Sequence, residues 1–292
     1  MKQVFLVILL AFGFVVGAQN KIVKKPKKQK PATTQVAPKK HKSQSKPTKG
    51  GTVKCVATKA SYSNGTLTVN GIKYNMVWVD GGTFRMGATS EQGSDAWDAE
   101  KPVHSVTLSG YYIGKTEVTQ ALWQAVMGSN PSYFEGDDLP VEQVSWDDCQ
   151  EFIRKLNSLT GQNFRLPTEA EWEFACRGGN NSRGYKYSGS NYIDNVAWYD
   201  GNSGDKTHPV ATKSPNELGI YDMSGNVWEW CADWYGDYSS GRQTNPKGPY
   251  DGSNRVHRGG CWYNNAWICR SSRRYCSNPT SRDYYLGLRL AL

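Results

Sequence analysis

Gly225-Asn226-Val227-Trp228-Glu229-Trp230 and, downstream of it, Arg258-Gly259-Gly260-Cys261-Trp262 are the stretches on which the reading of this chain turns. Both set glycine close to bulky rings, an arrangement that lets backbone pack tightly against aromatic faces. Upstream stands Arg165-Leu166-Pro167-Thr168-Glu169-Ala170-Glu171-Trp172-Glu173. There Thr168 and Glu171 have capping-box spacing, and the carboxylates complement a helix dipole. The glutamates of that helix read as charged, solvent-facing positions. Two earlier helices are predicted. Thr119 caps one that ends at Gly128 and buries Leu122, Trp123, Val126 and Met127. Ser145 and Asp148 open the other, which turns Trp146, Cys149, Phe152, Ile153 and Leu156 inward. Before them, Thr66–Val69 and Ile72–Val79 alternate polar and apolar around Asn70-Gly71, a pair that tolerates positive φ and so predicts a hairpin. Beyond Gly178 helical periodicity ceases, and short strands between loops run to the end of the chain. Helices early and loops late give the α+β class.

Residues 1–18 carry Lys2, an apolar run and Val16-Gly17-Ala18, the small-residue pattern cut by a signal peptidase. A secreted or periplasmic location is expected, associated with the outer envelope if the tail that follows binds there. The run is too short to span a bilayer, and no later segment approaches the roughly 20 apolar residues of a membrane helix. No transmembrane helix is therefore expected after cleavage. Residues 19–53 read as a disordered Lys/Pro-rich linker, with too little apolar content to offset chain entropy. Removing its eleven lysines and Lys2 from the 35 basic residues leaves 23 against 26 acidic, so the net charge of +9 belongs to the tail. Nucleic acid is not an expected partner, because the globular part has no basic surplus with which to neutralise phosphates. The tail is either a solvated spacer or a cation resting on an anionic envelope surface. Residues 54–75 form an extension with the hairpin, and 76–292 a single main domain without internal repeats, rich in loops that eleven tryptophans and seventeen tyrosines can fill.

With Leu286-Gly287-Leu288-Arg289 near the end, the quoted motifs, in this order, make 76–292 resemble the formylglycine-generating enzyme family, also called sulfatase-modifying factors. The resemblance implies a C-type-lectin-like fold, a small twisted antiparallel sheet with few helices and long irregular loops. It implies an oxidoreductase that uses oxygen and copper to convert a cysteine in a Cys-x-Pro-x-Arg segment of a sulfatase to formylglycine. Active members hold copper(I) with two cysteine thiolates, five residues apart after the Arg-Gly-Gly, since soft sulfur suits that ion. Laid on this chain, the second falls on Cys269, the first on Asn264, a hard neutral amide, and Cys261 takes the place of the usual serine. Two readings of the sulfurs stand open. Cys261 and Cys269 form a displaced pair that binds copper or cycles through a disulfide, with Trp228 walling the cleft; or the cysteines are structural. In an oxidising compartment the seven cysteines allow up to three disulfides, and Cys231 to Cys269 is the bridge preferred, since it links the motif regions.

The resemblance also implies calcium, which takes hard oxygens, backbone carbonyls among them. One family site carries over to Asp222, Gly225, Val227 and Glu229, and a second begins at Asn195 and Val196 with further ligands in the loop 200–205. The competing role for Glu229 is to cap a turn or pair with an arginine such as Arg258. The four histidines are scattered, with no metal-ligand spacing, and no nucleophile elbow or phosphate loop occurs. Arg270, Arg273, Arg274 and Arg282 gather near the end, to line an anionic-ligand surface or to satisfy loop carbonyls. Two functions follow: the copper-dependent oxidation, with a sulfatase as partner, or a non-catalytic lectin-like module that binds a protein, peptide or glycan at the envelope.

Overall fold

The hairpin expected around Asn70-Gly71 opens the domain, and it is preceded by a second one. In the computed structural model, which describes residues 58–292, strands β1 (Ala60–Ser63), β2 (Thr66–Val69) and β3 (Ile72–Val79) are antiparallel neighbours. The turns between them are Asn64-Gly65 and Asn70-Gly71, all four residues at positive φ. The residues expected to form the leader and linker, and Cys55, lie outside those described. Strand β4 (Gly82–Met86) pairs with β5 (His104–Leu108), and β6 (Tyr111–Gly114) returns to the far edge of β3.

The three helices follow as their caps dictate. Thr119 accepts the amide of Leu122 at the start of α1 (Gln120–Met127), which Gly128 ends in the left-handed conformation. Ser145 and Asp148 close a reciprocal capping box on α2 (Trp146–Thr160), as Thr168 and Glu171 do on α3 (Glu169–Cys176). Leu122 and Trp123 of α1 and Phe152, Ile153 and Leu156 of α2 pack under the hairpin residues Leu67, Val69 and Tyr74 in one core cluster. Trp123 and Phe152 stack at 4.8 Å.

Helix α3 departs from its expected exposure. Glu169 and Glu173 are buried, because α3 lies between β4–β5 on one side and the carboxyl-terminal strands on the other. Each carboxylate is neutralised there, Glu169 by Arg274 at 2.7 Å and Glu173 by Arg258 and Arg177. Glu171 comes nearest to the expectation, its side chain still 12% exposed and in an ion pair with Arg165.

From residue 178 to 227 the chain is loop with two short 3₁₀ turns, tied by side chains in place of a sheet. Asn216 is one such tie, donating to the carbonyl of Ala175 at 2.8 Å and accepting from Leu218 and Ile220. Then come β7 (Trp228–Trp234), β8 (Gln243–Thr244), β9 (Arg255–Arg258), β10 (Arg274–Ser277) and β11 (Leu286–Leu288). Among the described residues the sheets are three and small, ordered β1-β2-β3-β6, β10-β9-β7-β11 and β4-β5-β8, with β11 and β8 joining in parallel. No helix of the described residues is long and apolar enough to cross a membrane.

Candidate functional site

The two opening motifs meet at β7 and β9, which are paired with Glu229 opposite Arg258. Close approach explains their glycines. A Cβ on Gly225 would lie 2.2 Å from the carbonyl oxygen of Trp198, and one on Gly260 would lie 2.7 Å from Cys269 Sγ. Both also hold positive φ, so no other residue fits either place. Asn226 is buried, donating to Glu117 Oε2 at 2.8 Å and to the carbonyl of His208, and accepting the amide of His208 at 3.0 Å.

Around the second motif the sulfurs do not form a bridge. The preferred Cys231–Cys269 disulfide is absent: both thiols are free, as are those of Cys149, Cys176, Cys261 and Cys276. Cys231 lies in the core under α3, whereas Cys269 packs with Tyr187 and Val196. Asn264 instead organises this corner, its Oδ1 accepting from Cys261 N and Cys261 Sγ, each at 3.1 Å. Burial pushes the Cys261 thiol up to about 12, and burial together with the neighbouring Cys261 raises Cys269 well above the usual range. Trp228 and Asn264 both wall a cleft of about 290 Å³, with Trp97, His257, Arg273 and Tyr275; neither Cys261 nor Cys269 is on that wall.

Around the first motif, three buried carboxylates share one guanidinium. Glu229 pairs with an arginine, but with Arg289 in place of Arg258: Nη2 donates to Oε1 at 2.7 Å and Nε to Oε2 at 2.9 Å, with Trp172 Nε1 also on Oε2. Glu117 accepts from the amide of Val227 and from Asn226. Asp222 accepts the amide of Ala211 on Oδ2 at 2.7 Å, and its Oδ1 is buried without a partner. Burial, then Asp222 and Glu229, drive the Glu117 carboxyl well above its ordinary range. Burial with the charge of Glu229 lifts Asp222 to about 6. Among the described residues no hydrogen bond reaches the carbonyls of Gly225 or Val227. An unpartnered carboxylate oxygen on Asp222 and carbonyls free of hydrogen bonds on Gly225 and Val227 are the donor types that suit calcium, and these residues would hold it. Among the described residues no group of three or more His, Cys, Asp and Glu side chains is arranged for a metal, so backbone carbonyls would have to complete any such site. At the second expected site, Val196 is buried, Asn195 is exposed, and the Asn195 carbonyl is taken by the amide of Ser214.

Sequence reasoning missed Glu117, Trp97 and His257. Nothing local marks them, since their neighbours in space come from distant segments. The arginine cluster was visible, and it resolves into separate partners: Arg270 with Glu100, Arg274 with Glu169, Arg282 with Asp148, each at 2.7 Å.

A model of the sulfatase-modifying factor enzyme 1-like domain matches residues 67–292. The chain is 36% identical over 253 residues to chaperone protein LppX of Paenibacillus barcinonensis, covering 70% of this chain and 82% of that one. It is 30% identical over 286 residues to the formylglycine-generating enzyme of Mus musculus, covering 74% of each. Among solved structures, Treponema denticola variable protein 1 superposes with a TM-score of 0.70 at 36% identity, over 77% of this chain and 97% of that one. With the fold and motifs described above, these matches establish that the chain belongs to the sulfatase-modifying factor enzyme 1-like (formylglycine-generating enzyme) domain family.

Proposed function

We propose that this is an exported, calcium-braced binding member of the family, whose cleft beside Trp228 receives a ligand and makes no formylglycine. The observation that carries the reading is Asn264. Its amide oxygen stands where the resemblance puts the first catalytic sulfur, and it is already held by Cys261. Copper(I) asks for thiolates, and an amide beside two buried thiols of raised pKa does not suit it, so no oxidative step is assigned to these residues. Calcium has better support, from the orphaned Asp222 Oδ1 and the excess of buried carboxylate around it. Export rests on the amino-terminal pattern, and the lysine-rich segment is then a tether. Two of the three relatives above carry names other than that of the oxidase, a chaperone and a variable protein, which favours a non-oxidative use of the fold.

The test is an incubation of the purified protein with a Cys-x-Pro-x-Arg peptide, copper(I) and oxygen, read by mass spectrometry. The expected result is unchanged peptide from the wild type, and copper(I) affinity at least ~10-fold higher in Asn264→Cys, where a second sulfur joins Cys269. Aldehyde formation by the wild type that disappears in Cys269→Ser would overturn the reading.

A further inference from the structure

We propose that the cleft bounded by Trp97, Trp228 and Tyr275 binds a carboxylate borne on an aromatic body, with Arg273 as its anchor and His257 as a second hydrogen-bonding group. The proposal rests on the binding role given to this cleft above and names the class of ligand.

Arg273 is the arginine of the carboxyl-terminal cluster left without a carboxylate of its own. Its side chain is only 1% exposed, with the guanidinium carbon 3.3 Å from the ring centre of Trp97. Its Nε and Nη1 are buried with no hydrogen-bond partner. The nearest carboxylate, Glu100, lies 3.6 Å from Nη1. Both oxygens of Glu100 are already engaged by Arg270 at 2.7 Å, with Ser272 Oγ on one of them. Two guanidinium groups thus face one carboxylate, and one positive charge is left over. The neighbouring Arg274 and Arg258 differ in this respect, each having an acidic partner on α3.

His257 lines the same cleft and carries a second unsatisfied group. It is 2% exposed, its Nε2 lies 3.1 Å from Ser277 Oγ, and its Nδ1 is buried without a partner. Position is fixed by the sheet, since His257 on β9 is directly opposite Tyr275 on β10. Buried polar groups without partners are costly and rare, and two of them belong to residues of this one cleft wall.

The chemistry of the wall selects that ligand. One uncompensated positive charge matches a monoanion better than a phosphate, and the planar fork of arginine matches the two oxygens of a carboxylate. Trp97, Trp228, Tyr263, Tyr275 and Tyr285 supply ring faces against which an aromatic body packs. A volume of about 290 Å³ holds one ring and its acid group.

Phenylacetate, phenylacetamide and glucuronate are the probes, titrated against the full chain by ligand-observed NMR in the absence of copper and of any cysteine peptide. Phenylacetate is expected to bind at least ~10-fold tighter than either of the others, and Arg273→Gln to weaken it by a similar factor. Arg273→Lys should retain part of the affinity, and His257→Phe should lose several-fold. Equal binding of acid and amide, tighter binding of glucuronate, or an unchanged affinity in a folded Arg273→Gln would overturn the proposal. The acid and amide comparison uses wild-type protein, so it stands even where a variant does not fold. Peptide oxidation is scored in a separate assay, so failure of the binding role and failure of the carboxylate assignment are told apart.

Discussion

His257 illustrates how a single residue takes its properties from its surroundings. Its ring packs edge-on against Trp228 at 4.8 Å and Trp230 at 5.5 Å, and burial lowers its pKa from 6.5 to about 3. The unfolded chain therefore takes up this proton near pH 6.5 while the folded one does not until about pH 3. Its contribution to stability is whole above pH 6.5 and falls as pH drops through that window. Replacing His257 by Gln should remove that part of the acid sensitivity. The check is a melting curve series from pH 7 to pH 4 on both proteins, and identical slopes would refute the assignment. At the same scale, Asn264 was legible as a departure from the family pattern. Its hydrogen bonds with Cys261 were not, because a side-chain amide's partner depends on how the turn closes.

Among the elements, α3 starts where its capping box places it and differs from expectation in its exposure. A capping box is a local device within four residues, so Thr168 and Glu171 announce it in the sequence. Burial of Glu173 is not local: its partner Arg258 lies on β9, and its Oε1 also accepts the amide of Gly87 at 2.8 Å. Glutamates at helical spacing look alike whether they face water or a buried guanidinium. Removing the charge should separate the two cases. Glu173→Gln is expected to destabilise the protein by about 3–5 kcal/mol, since it removes the nearer counter-ion of buried Arg258 and leaves only Glu169 at 3.6 Å. Glu151→Gln, which breaks an exposed pair with Arg154 on α2, should leave the melting temperature unchanged. Equal effects of the two substitutions would contradict the role given to α3.

For the whole molecule, the loop-built half is held by electrostatics as much as by sheet. Glu117, Asp222 and Glu229 come from separate segments to surround Arg289, and calcium is the ion proposed to balance them. Asp222 titrates near 3.8 when unfolded and near 6 when folded. Between those values the folded form holds the extra proton, so ion-free protein gains stability as pH falls through 6. Calcium needs the ionised form, and its benefit should be largest at neutral pH. With calcium at 100 times its Kd, about 2.7 kcal/mol is expected, or roughly 5–10 °C in Tm. A chelator should reverse this at pH 7.5 and have little effect at pH 5, and Asp222→Asn should abolish the response. Equal Tm with and without calcium at pH 7.5 would exclude the site. The sequence by itself determined the caps, the starts of the three helices and the end of the first, the hairpin at Asn70-Gly71 and the family motifs, because each is a short-range pattern of propensity and spacing. Only the tertiary structure decided which arginine meets which carboxylate, that the described thiols are free and not bridged, and that Arg273 and His257 share a cleft, because burial and charge pairing arise between segments far apart in the chain.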